Sequence, residues 1–239
     1  MLEEVTIENI GAEGKSLARV DNMVVFVKDA VPGDVADLQV FRKKGRYMEA
    51  RVVKYHRFSD QRTEAFCQHF GVCGGCKWQH LPYDRQLYYK EQQVVDAFRH
   101  IAGVEIPETL PILASDPTTH YRNKLEYTFS NRRWLLDHEA QSGTPPEHTF
   151  AVGLHVPGRF DKVLDLEECR IVFPAGEAIL RSAGRLAREH GLEPWDVRAH
   201  TGFLRHLVVR HGANSGEVMV NLVTFSESPE LFDDYAAAL

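Results

Sequence analysis

The chain has 239 residues, of which 44% are hydrophobic and 26% are charged, the balance of an ordinary globular protein. It contains no run of apolar residues long enough to cross a membrane, and acidic residues stand where a signal peptide would carry basic ones. These features argue against a membrane protein and lead us to expect a cytoplasmic one. In that compartment clustered cysteines indicate a metal site or catalysis more often than disulfides.

The formal net charge of −6 hides a local excess of positive charge. Residues 1–40 hold eight acidic and three basic residues, whereas residues 41–62 hold eight basic and two acidic ones. A basic strip on an acidic chain is typical of selective contact with phosphates, although a solvated strand face gives the same pattern.

The first 58 residues show the alternation and the turn signals of short antiparallel strands. Asp21-Asn22 and Pro32-Gly33-Asp34 are typical turn residues between strands. Five strands are predicted, around Val5 and Ile7 and over Leu17–Val20, Met23–Val27, Val35–Phe41 and Tyr47–Tyr55. Five strands in so short a segment close most naturally into a small OB-like barrel, an architecture that often binds single-stranded nucleic acid.

Two segments with different sequence patterns follow the predicted barrel. Residues 59–82 lack hydrophobic periodicity and hold three cysteines, so something other than an apolar core must order them. Residues 83–102 have the pattern of a helix that ends at Gly103. Its apolar face is wide and is expected to pack on a substantial partner.

From Tyr121 onward the pattern predicts a mixed α/β domain. We predict strands over Lys124–Ser130, Phe150–Val156, Leu204–Arg210 and Glu217–Phe225, and helices over Pro174–His190 and from Ser228. The predicted fold class is a multidomain β and α/β protein. It has an OB-like barrel (1–58), a cysteine-rich metal-binding segment (59–82), a helical segment (83–112) and a central α/β domain (113–239).

The four cysteines have a spacing that predicts a metal centre. Cys67, Cys73 and Cys76 lie close together in sequence, and Cys169 stands far downstream without a second cysteine beside it. A Cys-x2-Cys pair places two thiolates on one turn, and Gly74-Gly75 between them lets backbone amides approach sulfur. Three clustered thiolates with a distant fourth favour a [4Fe–4S] cluster.

Two alternatives for the metal centre stay open. Structural zinc is the first, either with four cysteines or with His69 or His80 in place of one of them. Free thiols are the second. A radical S-adenosylmethionine loop is disfavoured, because its first two cysteines are typically separated by three residues and here the separation is five.

The cysteine segment resembles a known family. The run from Cys67 to His80 is similar to the iron–sulfur signature of bacterial RNA uracil-5 methyltransferases, which make 5-methyluridine in 23S ribosomal RNA. Further segments match the family pattern: Tyr83–Lys90, Tyr121–Lys124, Gly153–His155, Asp165–Cys169 and Leu204–Arg210.

This resemblance implies that the barrel is a TRAM domain, an RNA-binding OB-like module. It also implies that Cys67, Cys73, Cys76 and Cys169 are the ligands of a [4Fe–4S] cluster. We take that cluster as structural, because four protein thiolates leave no open coordination position.

In this family a Rossmann-like domain follows that binds S-adenosylmethionine and carries the nucleophilic cysteine. That thiolate attacks C6 of the target uracil, which makes C5 nucleophilic toward the methyl group. No Gly-rich cofactor loop is evident here and all four cysteines are assigned to the cluster. We therefore expect this chain to bind RNA without methylating it. Residues 83–112 are expected to pack on the missing domain, so the helix over 83–102 is expected to self-associate in its absence.

Basic residues in three regions are predicted to contact RNA. In the strand over residues 124–130, Tyr127 and Phe129 are interpreted as touching bases, although alternation gives any strand one solvent face. The predicted contacts are Arg42, Lys43, Lys44, Arg46, Arg122, Lys124, Arg132, Arg133, Arg205 and Arg210. The alternative function is a stand-alone RNA-binding module with a structural zinc site of four cysteines and no catalytic activity.

Overall fold

A computed structural model describes residues 1–143, 148–226 and 237, which divide into two compact units. The first unit comprises Met1–Gln68 and Cys76–Ser115, and the second comprises His69–Gly75 and Asp116–Leu239. The cysteine-rich segment is therefore shared between the units. Over the described ranges, no helix combines the length and the apolar character that a membrane span requires.

The first unit is built on a six-stranded sheet. Its strands are β1 (Leu2–Thr6), β2 (Asn9–Ile10), β3 (Ser16–Val20), β4 (Met23–Lys28), β5 (Val35–Lys44) and β6 (Tyr47–Arg57). They follow the order β1-β5-β6-β4-β3-β2, and only the β4–β6 pair is parallel. The inward-facing side chains form one core, which includes Ala18, Val25, Val27, Leu38, Met48 and Ala50.

The five predicted strands are present, but the barrel is not closed by hydrogen bonds. Within residues 1–58, β1 and β2 form the two edges of the sheet and do not pair with each other. The sequence prediction missed β2 because two residues are too few to show an alternating pattern.

Both predicted turns adopt the expected backbone. Asp21 and Asn22 have φ angles of 50° and 61°, and they join Val20 to Met23 in a tight β3–β4 hairpin. Positive φ at both central positions is what the right-handed strand twist requires of a two-residue turn. Gly33 has a φ of 93°, and the Asp34 amide donates to the Val31 carbonyl across that turn at 3.0 Å.

A fully buried carboxylate attaches the segment after β6 to this sheet. Asp34 accepts hydrogen bonds from the backbone amides of Val31 (2.7 Å) and Ser59 (2.9 Å). It also accepts two from Arg62, at 2.9 Å from Nε and 2.6 Å from Nη2. The Arg62 guanidinium lies over Tyr55 at 5.1 Å from the ring centroid. Arg62, which belongs to the basic strip by sequence, is thus bound to its own domain.

Helix α1 (Tyr83–Ala97) continues into a π-helical turn, Phe98–Ala102, and ends at Gly103 with a φ of 66°. The predicted helix and its glycine cap are confirmed. Tyr89 packs with Ile10, Val31 and Leu81 in a small second core. The opposite face is open: the exposed fractions of Tyr88, Val94, Phe98 and Ile101 are 48%, 52%, 43% and 85%.

The second unit contains a five-stranded antiparallel sheet. Its strands are β7 (Lys124–Ser130), β8 (Ala151–His155), β9 (Val163–Asp165), β10 (Leu204–His211) and β11 (Val218–Thr224), in the order β11-β10-β7-β8-β9. A short helix α2 (Asp137–Gln141) follows β7, and the longer helix α3 (Pro174–Glu189) packs against β8 and β10. The predicted β10–β11 hairpin and the helix starting at Pro174 are confirmed. The helix predicted from Ser228 lies outside the described residues.

One face of this sheet is the core and the other is exposed. Leu125, Tyr127 and Phe129 of β7 are buried together with Leu207 and Val209 of β10. The interpretation that Tyr127 and Phe129 touch RNA bases is therefore wrong, because their exposed fractions are 0% and 1%. Strand alternation places them opposite the charged residues of the same strand.

Candidate metal centre and nucleic-acid interface

Two of the predicted metal ligands, Cys73 and Cys169, belong to the second unit, and both influence the Tyr127 hydroxyl. Burial raises the pKa of the Tyr127 hydroxyl, and the Cys169 thiol, Glu177 and the Cys73 thiol raise it further. The Cys169 amide donates to Glu177 Oε2 at 3.4 Å, and the exposed fraction of Cys169 is 8%. The fold thus places Cys73 and Cys169, which are far apart in sequence, close enough to one buried tyrosine for both to raise its pKa.

The turn that carries Cys73 is ordered by backbone contacts. The Cys73 amide donates to the His69 carbonyl at 2.9 Å, and the Gly75 amide points at Cys73 Sγ at 3.4 Å. His69 Nε2 in turn accepts a hydrogen bond from the Glu167 amide at 3.3 Å. The predicted approach of a backbone amide to sulfur is confirmed for Gly75, and an amide in that position stabilises a thiolate.

The other two cysteines belong to the first unit. The Cys67 amide donates to Gln79 Oε1 at 3.2 Å, and Cys76 directly follows Gly75 in the chain. None of the four cysteines forms a disulfide. Among the described residues, no three His, Cys, Asp or Glu side chains converge as a ready site for a single metal ion.

The two histidines considered as zinc ligands both contact the backbone. Burial lowers the pKa of His69, against the raising influence of Glu168, Glu167 and Asp165. His80 is buried in the first unit, and its Nε2 lies 3.4 Å from the Ala30 carbonyl oxygen.

A surface pocket of about 490 Å³ lies within the second unit, next to the cysteine turn. Gly74 and Gly75 form one wall, and the strand β7 forms another. The residues that surround it are Gly74, Gly75, Arg122, Lys124, Leu125, Glu126, Leu154, His155 and Ile171. Sequence patterns did not reveal this pocket, because its walls come from four separate segments.

The predicted RNA-contacting cations of the second unit fall into two classes. Arg122, Lys124 and Arg210 are exposed, and the sheet register pairs Lys124 with Arg210 on neighbouring strands. Arg133 instead binds Glu139 at 2.7 Å and has a side-chain exposure of 14%.

Arg132 and Arg205 also have protein partners. Arg132 lies 3.9 Å from Asp161 and 3.7 Å from Asp196, with a side-chain exposure of 28%. The Arg205 guanidinium lies over the Trp195 ring, 5.1 Å from its centroid. These contacts favour a structural role for Arg132 and Arg133, whereas Arg205 is exposed, and contact of all three with RNA stays a prediction.

In the first unit the predicted cations lie at the tip of the β5–β6 hairpin. Arg42, Lys43, Lys44 and Arg46 are all exposed, and only Arg42 has an ion-pair partner within this hairpin, Glu49 at 3.4 Å. Phe41 is 53% exposed beside them, with Lys28 Nζ 5.7 Å from its ring centroid. An exposed aromatic ring beside cations is suited to stacking an RNA base. The sequence signal that could have found Phe41 is its position in an alternating strand directly before the basic residues.

The sequence is similar to a domain family and to several proteins named RNA methyltransferases. Residues 3–53 match the TRAM domain family. A Bacteroides thetaiotaomicron protein described as an uncharacterized RNA methyltransferase is 46% identical over 226 residues, which cover 93% of this chain and 50% of that protein. Proteins of the same description from Porphyromonas gingivalis and Chlorobaculum tepidum are 44% and 41% identical, each over 92% of this chain and 48% and 46% of their own lengths.

A solved structure shares the fold. The crystal structure of Pyrococcus abyssi tRNA (uracil-54, C5)-methyltransferase in complex with S-adenosyl-L-homocysteine superposes with a TM-score of 0.64 at 23% identity. The match covers 97% of this chain and 48% of that one. The chain thus contains a TRAM domain and has the fold of part of a tRNA methyltransferase. It spans about half the length of the curated relatives it matches, and these relatives are named RNA methyltransferases.

Proposed function

We propose that this chain is the RNA-recognition portion of an S-adenosylmethionine-dependent RNA uracil-5 methyltransferase. The observation that carries the proposal is the similarity of 41–46% over more than nine tenths of the chain to proteins named RNA methyltransferases. The TRAM match and the fold shared with a tRNA (uracil-54, C5)-methyltransferase support it. In this proposal the chain binds RNA, and the cofactor and the nucleophilic cysteine belong to the remaining length of such proteins.

The proposed substrate is a uridine of 23S ribosomal RNA, on the strength of the cysteine-segment resemblance. The related fold belongs to an enzyme that acts on transfer RNA, so the two substrates need to be compared directly. Titration of the chain with labelled fragments of 23S ribosomal RNA and with transfer RNA tests the choice. Tighter binding of one ribosomal fragment is expected, and a preference for transfer RNA would contradict this assignment.

The proposed metal centre is a [4Fe–4S] cluster held by Cys67, Cys73, Cys76 and Cys169. Cys169 fits the group because it is buried beside Tyr127, and Cys73 fits it because the partly buried thiol accepts a hydrogen bond from the Gly75 amide. Cys67 and Cys76 are proposed from their sequence spacing. Bound there, the cluster would cross-link distant segments and supply no open iron position, a structural role.

Anaerobic reconstitution tests the metal assignment. We expect iron and sulfide to bind in a cluster ratio with broad visible absorbance, and Cys169→Ser to lower the iron content strongly. Tyr127→Phe serves as the matched control, because it alters the same buried site without removing a sulfur ligand. Stoichiometric zinc without visible absorbance would favour the alternative function, a stand-alone RNA-binding module.

The exposed apolar face of α1 is proposed to pack on the part of such a protein that follows this chain. Val94 and Ile101 are 52% and 85% exposed on that face. Burying such residues is worth about 1.5–3 kcal/mol each, so the uncovered face is expected to self-associate. Sedimentation at several concentrations tests this. Val94→Lys with Ile101→Lys is expected to give a monomer, and a monomeric unsubstituted chain would contradict the proposal.

A further inference from the structure

The pocket beside the cysteine turn combines apolar and charged residues in its lining. Its volume of about 490 Å³ lies in the range of small-ligand sites. Leu154 provides partly exposed apolar surface beside the buried Ile171, while Arg122, Lys124 and Glu126 provide charge. A nucleotide offers a matching group for each kind of residue: a flat base packs on apolar groups, the base edge forms hydrogen bonds, and the phosphate is anionic.

Two cations of the pocket lie at the start of β7, two residues apart in the chain. Arg122 Nε donates to the Lys124 carbonyl at 3.1 Å, which holds the guanidinium against the start of β7 while the side chain stays exposed. Lys124 is also exposed, and Arg210 is its partner in the sheet register. Arginine and lysine grouped in this way bind phosphate oxygens of a nucleic-acid backbone.

Glu126 is the unexpected member of the pocket, because a carboxylate repels phosphate. Its side chain is 55% exposed, and His206 Nδ1 lies 3.8 Å from Glu126 Oε1. Burial lowers the pKa of His206, although Glu126 raises it, and this disfavours a charged imidazole beside Glu126. A carboxylate in a nucleotide site accepts hydrogen bonds from a base.

Guanine is the base whose hydrogen-bond donors best match the two oxygens of a carboxylate. Its Watson–Crick edge presents two adjacent donors, N1–H and the N2 amino group, which match the two oxygens of a carboxylate. Cytosine and adenine present one amino group beside an acceptor, and uracil presents one N–H between two acceptors. Two-point recognition of this kind discriminates more strongly than a single hydrogen bond.

We propose that this pocket binds one guanosine nucleotide of the RNA, with its phosphate at Arg122 and Lys124 and its base edge at Glu126. The site is separate from the uridine that is methylated, and it fixes the position of the RNA by reading a nearby base. The proposal rests on the proposed function, since it requires an RNA ligand.

The experiment measures fluorescence anisotropy of the full chain with nine-nucleotide RNAs at constant salt. The probes are oligouridine and the same strand with a central guanosine, inosine or adenosine. The guanosine strand is expected to bind about tenfold tighter than oligouridine. Inosine, which lacks the N2 amino group, is expected to fall between them.

Glu126→Gln is the decisive variant, because it keeps the size of the side chain and removes one acceptor oxygen and the charge. We expect it to reduce the guanosine preference to less than about twofold while oligouridine binding stays equal or rises slightly. Glu217→Gln is the matched control, since it makes the same charge change on the exposed β10–β11 loop. It should keep the full preference.

The outcomes separate this proposal from the proposed function. Binding of all four strands with equal affinity, or a guanosine preference that survives Glu126→Gln, overturns the guanosine pocket and leaves RNA binding intact. Failure of every RNA to bind overturns both.

Discussion

Gly74 lies directly against the backbone of His155, so that a Cβ atom at position 74 would stand 2.5 Å from the His155 carbonyl oxygen. The contact joins the cysteine turn to the end of β8 within the second unit. Because a backbone carbonyl cannot rotate away as a side chain can, any residue larger than glycine must displace the turn. The same turn carries Cys73 and forms one wall of the nucleotide pocket.

Gly74→Ala is therefore expected to destabilise the chain by about 1–3 kcal/mol, the usual cost of overpacking, and to lower metal retention. Urea unfolding measures the first effect and iron content measures the second. Gly45→Ala is the control, because no atom lies within 4 Å of a Cβ placed at position 45. Equal stability of the two variants would show that the turn is not held at β8.

Asp34→Asn is expected to lower the free energy of unfolding by about 3 kcal/mol or more. The substitution leaves the Arg62 guanidinium without the buried carboxylate that binds it through two hydrogen bonds. Glu49→Gln, which breaks the exposed pair with Arg42, should cost less than about 1 kcal/mol. A loss at Asp34 as small as that at Glu49 would mean that the buried pair contributes little.

The stability of the chain is expected to fall as the pH decreases from about 7 to 5. Burial lowers the pKa of His80 from 6.5, and Arg62 lowers it too, against the Ala30 carbonyl, Asp29 and Asp34, which raise it. The folded state thus keeps the ring neutral, whereas the unfolded chain takes up a proton once the pH falls below 6.5. Acidification then favours the unfolded state. Urea unfolding at several pH values measures the free energy of unfolding as a function of pH. Its slope should be shallower for His80→Gln, and an unchanged slope would contradict the role given to His80.

Lys124→Met is expected to weaken binding to all single-stranded RNAs. Loss of one phosphate contact should also reduce the slope of log affinity against log salt by about 0.7–1. Arg133→Met is the comparison, because Arg133 binds Glu139 and is largely buried. Its RNA affinity should change little while its stability falls. Equal salt slopes for Lys124→Met and the unsubstituted chain would remove Lys124 from the RNA contact.

Much of the secondary structure follows from the sequence alone. Strand β7 occupies the predicted residues Lys124–Ser130, and the π-helical turn that continues α1 ends at the predicted Gly103. Local rules are sufficient there, since period-two alternation and a left-handed cap depend only on neighbours along the chain. The cysteine spacing likewise predicts a metal centre before any fold is known, and the metal centre stays a prediction.

The tertiary structure decides which residues are available for function. Alternation alone places Tyr127 and Glu126 on opposite faces of a strand, but only the burial of Tyr127 in the folded unit shows that the tyrosine face is the core. Arg133 and Lys124 are equivalent cations in the sequence, and only the fold gives Arg133 a carboxylate and leaves Lys124 exposed at a pocket. Such pairings join residues that are distant in the chain, and local sequence patterns carry no information about distances of that kind.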